Sequence, residues 1–239
     1  MQISWNNVKK SNFLLIGSSF RLSKVGSIHI SVDNVPLDNV DSYTYLGIVI
    51  NNRFSWSNHI DYIRGKISKK LGLLRRIKSC LPLNARIPFF NSFILPLFDY
   101  GDIIWGDRGN ASLMSELQVL QNKAARLILD LPVHSSASEA LKRLGWKPLL
   151  RRRMEHHAIF MYKLLNNHFC SSIPVSFNGD FHGYNTRSRN DIRKSIATRR
   201  WGHWSSVNFS SNIWNSLDIS LREAESLTAF KRGLSKIIL

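Results

Sequence analysis

The hydrophobic periodicity of this chain of 239 residues changes near residue 57. Before that point, apolar residues alternate with polar ones at Ile28, Ile30 and Val32, and the segment 43–50 is rich in β-branched and aromatic residues, which is typical of strands. Beyond it, apolar residues recur at three- and four-residue steps, at Ile60, Ile63, Ile67, Leu71, Leu74 and Ile77. Such steps give a helix one apolar face. The change of period predicts an α+β fold, in which a small antiparallel β unit precedes a mostly α-helical domain.

Prolines and polar stretches divide the helical part. Pro82 predicts the end of the first helix, and Pro96 predicts a bend or a break in a second helix that begins near Asn84. The further predicted elements are helices over 113–129 and 151–169, a polar linker or extended arm over 171–200, and a closing amphipathic helix over 223–239. The predicted parts of the chain are therefore a β unit over 1–56, a helical domain over 57–170, and a polar linker with a C-terminal helical segment over 171–239.

The charge of the chain indicates its class of partner. Lys and Arg number 33 against 16 Asp and Glu, which leaves a net charge of +17. Such an excess favours a polyanion, with nucleic acid first and an anionic membrane surface second. No apolar run is long enough for a membrane span, and the two cysteines, Cys80 and Cys170, exclude a disulfide scaffold. We expect a soluble, intracellular protein of the nucleus or the cytoplasm, with no membrane partner.

Motifs that carry chemistry are few. The one His/Cys cluster, formed by His156, His157, His168 and Cys170, matches no zinc-binding spacing. Nucleophile elbows and glycine-rich phosphate loops are absent from the sequence, and no pair of acidic residues stands at a strand end, as a two-metal polymerase would need. The residues therefore predict no catalytic group, no metal site, no cofactor and no small-molecule substrate.

Basic residues cluster at three places in the second part of the chain. The clusters are Lys66, Lys69, Lys70, Arg75 and Arg76 on the first helix, Arg151, Arg152 and Arg153 at the start of the fourth, and Arg199 and Arg200 before Trp201. The cations of the first helix surround its apolar face. Two interpretations remain open, because such cations either face solvent only or bind phosphates. A triple arginine at a helix start opposes the helix dipole, so it favours an external anion.

Several phrases of the sequence, in order, resemble segments of one enzyme family. They are Asn7–Gly17, Ser42–Ile50, Arg53–Ile60, Ile94–Gly106 and Leu117–Ile128, with shorter matches at Tyr184–Arg187, Ile213–Leu217 and Ala229–Lys231. Together they resemble the reverse transcriptases of LINE-type retrotransposons, which lack long terminal repeats, and the last three resemble the jockey-like members. The resemblance implies the part of an RNA-directed DNA polymerase that follows the catalytic loop: the palm edge, the primer grip, a helical thumb and the C-terminal region.

The resemblance also implies roles for single residues. Lys10 matches a lysine that lies near the phosphates of the incoming nucleotide, and Tyr45 and Gly47 match the hairpin of the primer grip. Asn51 stands where the family usually has Asp. With the three basic clusters, Lys10, Tyr45 and Gly47 make up the predicted nucleic-acid-binding residues.

The same resemblance sets an expectation about catalysis. The family's Ala-Asp-Asp motif and a further upstream Asp hold two Mg²⁺ ions, and these carboxylates would precede Met1. We therefore expect the chain alone to bind an RNA and DNA template–primer duplex without extending it, with Mg²⁺ needed only by the full-length enzyme. Two alternatives remain open, namely a domesticated, non-enzymatic nucleic-acid-binding or interaction scaffold and a decayed open reading frame.

Overall fold

The computed structural model describes residues 11–106, 111–169, 173–181, 183–184, 186–194 and 205–237. The chain divides into two compact units, Met1–Lys69 and Lys70–Leu239. All the described strands belong to the first unit, and the second contains helices without named strands in its described residues. The α+β class predicted from the periodicity is therefore confirmed. The division of the chain at 56/57 and 170/171 stays a prediction.

The described strands pair two by two. They are β1 (Asn12–Phe13), β2 (Ser31–Val32), β3 (Val35–Pro36), β4 (Asp38–Asn39), β5 (Ser42–Tyr45) and β6 (Ile48–Asn51). β2 pairs with β3 and β5 with β6 in the predicted antiparallel sense, whereas β1 pairs with β4 in parallel. Parallel strands need a long connection rather than a tight turn, and here the chain between β1 and β4 includes a helix and a hairpin.

Both antiparallel pairs are hairpins with left-handed residues in their turns. Asp33 and Asn34 have φ angles of 50° and 62°, and Leu46 and Gly47 have φ angles of 47° and 79°. Two positive φ angles in succession match the twist of the flanking strands in a two-residue hairpin. The turn predicted at 33–34 is confirmed. The segment 43–50 is two strands rather than the single strand that its composition favours, as the resemblance to a primer-grip hairpin implies.

Eleven α-helices are described in the residues that the structure covers. They are α1 (Ser19–Lys24), α2 (Ser57–Ile77), α3 (Leu83–Phe93), α4 (Leu95–Asp99), α5 (Asp102–Trp105), α6 (Ala111–Ile128), α7 (Ala137–Arg143), α8 (Leu149–Leu165), α9 (Ser206–Asn215), α10 (Ile219–Arg222) and α11 (Leu227–Lys236). The predicted break at Pro96 is confirmed, because this proline lies in the first turn of α4, where its missing N–H costs no helical hydrogen bond. None of the described helices has both the length and the apolar composition needed to cross a bilayer.

The main core of the second unit is formed by α8, α9 and α11. The ring of Tyr162 stacks on Phe230 with 4.6 Å between centroids, and Trp214 packs against Phe230 at 5.8 Å. The Tyr162 hydroxyl donates to the carbonyl of Ala224 at 2.8 Å, so its polar end is satisfied inside the core. These contacts fix α8, the helix that begins near the triple arginine.

The described residues between α8 and α9, namely 173–181, 183–184 and 186–194, form a loop that is called the 173–194 loop below. Phe177 and Ile192 make an antiparallel bridge across it. Asn215 of α9 clamps the second of these residues, because its Oδ1 accepts from the Ile192 N–H at 2.9 Å and its Nδ2 donates to the Ile192 carbonyl at 3.0 Å. The backbone thus folds back on itself where the composition favours a linker or an extended arm.

Candidate nucleic-acid interface

Helix α2 presents its cations to solvent. Lys66, Lys69, Arg75 and Arg76 are exposed, and Lys70 is half-buried. Five of the six predicted apolar positions of the helix are buried, at Ile60, Ile63, Ile67, Leu71 and Leu74, and the sixth, Ile77, is half-buried. The three- and four-residue spacing gathers these apolar residues on one face, so the residues between them must point outward. The predicted relation between the apolar face and the cations is present in the structure.

The five predicted cations of α2 are not neutralised by carboxylates of the described residues, unlike Arg64 of the same helix, which pairs with Asp61 at 2.8 Å. Within the described residues, none of the five forms an ion pair with a carboxylate. Two of them rest on rings instead, since Lys66 Nζ lies 4.2 Å from the centre of the Tyr62 ring and Lys70 Nζ lies 5.4 Å from that of Phe93. A ring contact holds the side chain but leaves its charge uncompensated. Such charges attract phosphates whatever the base sequence.

The β5–β6 hairpin positions the two residues that the primer-grip resemblance singles out. Tyr45 is 61% exposed, and Gly47 occupies the left-handed turn. The turn itself demands a residue like glycine at this position, because a side chain there is strained. The turn geometry therefore accounts for a glycine at position 47. Contact of Tyr45 or Gly47 with a primer stays a prediction.

The corner between β6 and α2 is built around Asn51. Its Nδ2 donates to Ser55 Oγ at 2.7 Å and to Asn58 Oδ1 at 3.1 Å, while its Oδ1 accepts the Ser55 N–H at 3.0 Å. An aspartate, which the family usually has here, could not donate these bonds. His59 follows in α2, where its Nδ1 accepts the Val49 N–H at 3.2 Å. Burial, helped by the charge of Lys66, lowers the pKa of His59 to about 4.

The triple arginine of α8 is engaged inside the protein. Arg152 makes a two-pronged contact with Asp99, with Nε–Oδ1 and Nη2–Oδ2 distances of 2.7 and 2.6 Å. Arg151 donates to the carbonyl of Ile237 at 2.6 Å and lies 3.4 Å from a carboxylate oxygen of Glu155. Carboxylates of the chain itself thus lie beside these arginines, where the sequence favours an external anion. Binding of these arginines to phosphates stays a prediction.

Asp102 and His156 form a second buried contact beside the first. The Nδ1 atom of His156 lies 2.6 Å from Oδ2 of Asp102. Burial raises the pKa of Asp102 more than its bond to the histidine lowers it, and the pKa of His156 is raised by Asp102 against the opposing effect of burial. Asp99, Asp102 and His156 together bring three ligand-type atoms within 4.8 Å of one another. The guanidinium of Arg152 already pairs with the Asp99 carboxylate, so its charge is compensated without a metal ion.

Arg153 is the most buried of the three arginines. It is only 3% exposed, and in the described part of the chain its Nε and Nη2 atoms have no hydrogen-bond partner. Burial lowers its pKa to about 10, although Asp102 and Asp99 oppose the change. Its guanidinium lies 5.4 Å from the centre of the Trp105 ring, at the wall of a mainly apolar cavity of ≈ 450 Å³. This arginine is not available at the surface of the folded chain.

Three predicted binding residues lie outside the described residues. They are Lys10, Arg199 and Arg200. The sequence reasoning missed the contacts of Asp99 and Asp102, because their partners lie 53 and 54 positions away along the chain. The abundance of arginine in 151–153 and the acidic residues in 99–102 are the only signals of this pairing in the sequence.

Two curated proteins of Drosophila melanogaster are similar to this chain. The probable RNA-directed DNA polymerase from transposon X-element is 30% identical over 131 residues, and the one from transposon BS is 25% identical over 142 residues. The chain is related to transposon RNA-directed DNA polymerases. The matches cover 52% and 58% of this chain but only 14% and 16% of the relatives' own lengths. No family model matches the chain, and no solved structure matches it either.

The relationship to transposon polymerases gives a context for the segment Ile94–Gly106. In the structure this segment is a corner, in which Trp105 Nε1 donates to the carbonyl of Tyr100 at 2.9 Å. A Cβ atom at Gly106 would lie 2.5 Å from the carbonyl oxygen of Asp102, so glycine is needed for this close approach. The Trp and the Gly of this phrase are therefore explained by packing within the chain, whereas Tyr100 takes part in this contact through its backbone carbonyl and its side chain is 56% exposed.

Proposed function

We propose that this chain binds a template–primer duplex through the exposed cations of α2 and that it does not itself catalyse nucleotidyl transfer. The observation that carries the proposal is that Lys66, Lys69, Arg75 and Arg76 are exposed and form no ion pair within the described residues. The names of the relatives, RNA-directed DNA polymerases, support a nucleic-acid partner. Contacts of this kind give affinity without sequence preference.

The expected lack of nucleotidyl transfer follows from the carboxylates that the chain contains. The sequence contains no two adjacent aspartates. In the described residues, the one group of carboxylates with metal-ligand geometry is balanced by Arg152. Nucleotidyl transfer by two metal ions needs carboxylates free to hold them. Purified chain with a primed RNA template, Mg²⁺ and deoxynucleotides should therefore extend nothing, and templated extension after exclusion of a contaminating polymerase would overturn this half.

Salt-dependent binding tests the other half. We would measure fluorescence anisotropy of a labelled RNA–DNA hybrid over a KCl series, with the parent chain and with the variants Lys66→Gln/Lys69→Gln and Arg75→Gln/Arg76→Gln. Each phosphate contact that is lost should flatten the slope of log affinity against log salt by about 0.9. Each double variant should therefore lower the slope by up to about 2 and weaken binding of all sequences alike.

A matched control separates a contact from a change in net charge. Lys142 and Arg143 are exposed cations of α7, so Lys142→Gln/Arg143→Gln removes the same charge from another surface. If this control flattens the slope as much as the α2 variants do, binding depends on total charge and α2 has no special role. Unchanged circular dichroism establishes that each variant is folded.

A second candidate function is a protein-interaction scaffold. Exposed apolar side chains on the first unit favour it, since Phe20, Tyr45 and Leu46 are each more than 60% exposed. Exposed apolar groups of this kind mark protein contacts when they are clustered. If the parent chain shows no salt-dependent binding to any nucleic acid, the scaffold becomes the better proposal.

A further inference from the structure

The 173–194 loop carries two large aromatic side chains into solvent. Phe181 is 60% exposed and Tyr184 is 78% exposed. Exposing aromatic rings is unfavourable in water, and on a loop with a defined backbone it often marks a binding site. The loop contains none of the α2 cations, so any ligand contact that it makes uses a different set of residues.

Hydrogen bonds hold the backbone of the loop in place. Asn178 Nδ2 donates to the carbonyl of Ser188 at 2.9 Å, and the Gly179 N–H donates to the carbonyl of Arg189 at 2.9 Å. Asp180 Oδ2 accepts the Phe177 N–H at 2.7 Å. Phe181 thus directly follows a hydrogen-bonded turn, and a ligand that binds it loses little free energy in ordering that part of the chain.

Gly179 allows the two sides of the loop to come close together. A Cβ atom at this position would lie 2.8 Å from Cγ of Arg189 and 3.3 Å from its carbonyl oxygen. A side chain here would push Arg189 away or open the loop. The close approach of Arg189 to Gly179 is therefore built into the backbone.

The cations of the loop are not balanced by its acids. Arg187, Arg189, Arg193 and Lys194 are all exposed, and none of them forms an ion pair within the described residues. Asp191 is already paired with Arg222 of α10 at 2.8 Å, and Asp180 caps the Phe177 N–H as described above. The loop therefore has a net positive surface next to its rings.

One cation and one ring are joined directly. The guanidinium of Arg193 lies 3.5 Å from the centre of the Phe181 ring, so it lies over one face of that ring. The stack leaves the charge of the guanidinium available to a phosphate, and the ring stays largely exposed. An aromatic platform with arginines beside it is the arrangement that binds unpaired bases and their phosphates.

We propose that the 173–194 loop binds single-stranded nucleic acid, with bases stacked on Phe181 and Tyr184 and phosphates held by Arg187, Arg189 and Arg193. The inference rests on the proposed function, since both need a nucleic-acid partner. Bases in a duplex stack on one another and hide their faces, so the rings select unpaired nucleotides, whereas the cations of α2 contact phosphates in either form. Each stacked base is expected to add about five- to a hundredfold to the affinity.

Three probes of equal length test the loop in the full chain. They are a labelled thymidine 20-mer, an abasic 20-mer with the same phosphates, and a 20-base-pair duplex. The parent chain should bind the thymidine strand at least about fivefold more tightly than the abasic strand. The variant Phe181→Leu/Tyr184→Leu keeps apolar bulk but removes the rings, so it should bind both strands alike and bind the duplex as the parent does.

A conservative variant provides the matched control. Phe181→Tyr/Tyr184→Phe keeps both rings and should retain the preference for the thymidine strand. If the leucine variant keeps the parent's preference, or if the parent does not distinguish the two strands, the loop is not a stacking site. An acidic peptide that displaces the thymidine strand from the parent, but not from the leucine variant, would overturn the inference in favour of a protein partner.

Two outcomes distinguish this inference from the proposed function. Binding of the duplex with no binding of the thymidine strand would refute the loop proposal and leave the role of α2 standing. Binding of no probe at all would refute both. If the two surfaces act separately, the α2 variants should lose affinity for the duplex and keep the parent's preference for unpaired bases.

Discussion

Replacing His157 by asparagine should make the second unit less sensitive to acid. The imidazole of His157 is 1% exposed, its Nδ1 lies 2.7 Å from Ser210 Oγ, and its ring meets Phe209 edge-on at 4.7 Å. Burial, together with the positive charges of His156 and Arg153, lowers the pKa of His157 to about 4. Asparagine can keep the hydrogen bond to the serine but cannot take up a proton.

The sign of the effect follows from the direction of the shift. A histidine whose folded-state pKa is lowered contributes stability that is fully present above pH 6.5 and is lost as the pH falls toward 4. The difference between the unfolded and folded pKa values corresponds to about 3 kcal/mol over that range. His156 acts in the opposite direction, since its pKa is raised, so its contribution is lost as the pH rises above 6.5.

Urea unfolding followed by tryptophan fluorescence measures the effect. The free energy of unfolding of the parent should fall by up to about 1.4 kcal/mol per pH unit between pH 6 and 4.5 because of His157 alone, and that part should vanish in His157→Asn. At pH 7.5 the variant should be the less stable protein, because it leaves a cavity. His134→Asn, at an exposed position, is the control. Equal slopes for the parent and His157→Asn would refute the reasoning.

Two further substitutions test single features of the backbone. Leu46→Asn should stabilise the β5–β6 hairpin by about 1 kcal/mol, because asparagine tolerates the left-handed turn better than leucine; a fall in the melting temperature would contradict this. Gly106→Ala should destabilise the chain by about 1–3 kcal/mol, because the new Cβ would press on the carbonyl oxygen of Asp102 and on Arg153 Cδ. Urea unfolding checks the second prediction, with Gly72→Ala, where a Cβ meets nothing within 4 Å, as control.

The long amphipathic helices were predictable because their signal is local. The apolar stripe of α2 repeats over six positions, and Pro96 lies in the first turn of α4, next to the predicted break. The predicted end at Pro82 is less exact, because α2 ends at Ile77 and Pro82 is the N-cap of α3. The short helices α1, α7 and α9 have no such repeat. Each has a serine N-cap whose hydroxyl accepts an N–H three residues later, and this weaker signal was present in the sequence.

The buried polar cluster could not be predicted in the same way. Asp99 and Arg152 lie 53 positions apart, and no pattern within one element links them. The arginines of α8 stand at an unfavourable place for the helix dipole, which is a real signal that an anion is near. The sequence does not say whether that anion belongs to the chain or to a ligand, because the packing of α4, α5 and α8 decides it.

For nucleic-acid binding, the position of each cation therefore matters more than the net charge of +17. Arg152 pairs with Asp99, and Arg222 pairs with Asp191, so neither can give its full charge to a phosphate without breaking an internal contact. Both carboxylates are partly exposed, at 23% and 25%, so breaking either pair costs less than the loss of a buried pair but still offsets part of what a phosphate contact contributes. Nucleic-acid binding by this chain should therefore depend on exposed cations that form no ion pair within the described residues, such as Lys66 and Lys69 of α2 and Arg187 and Arg189 of the 173–194 loop.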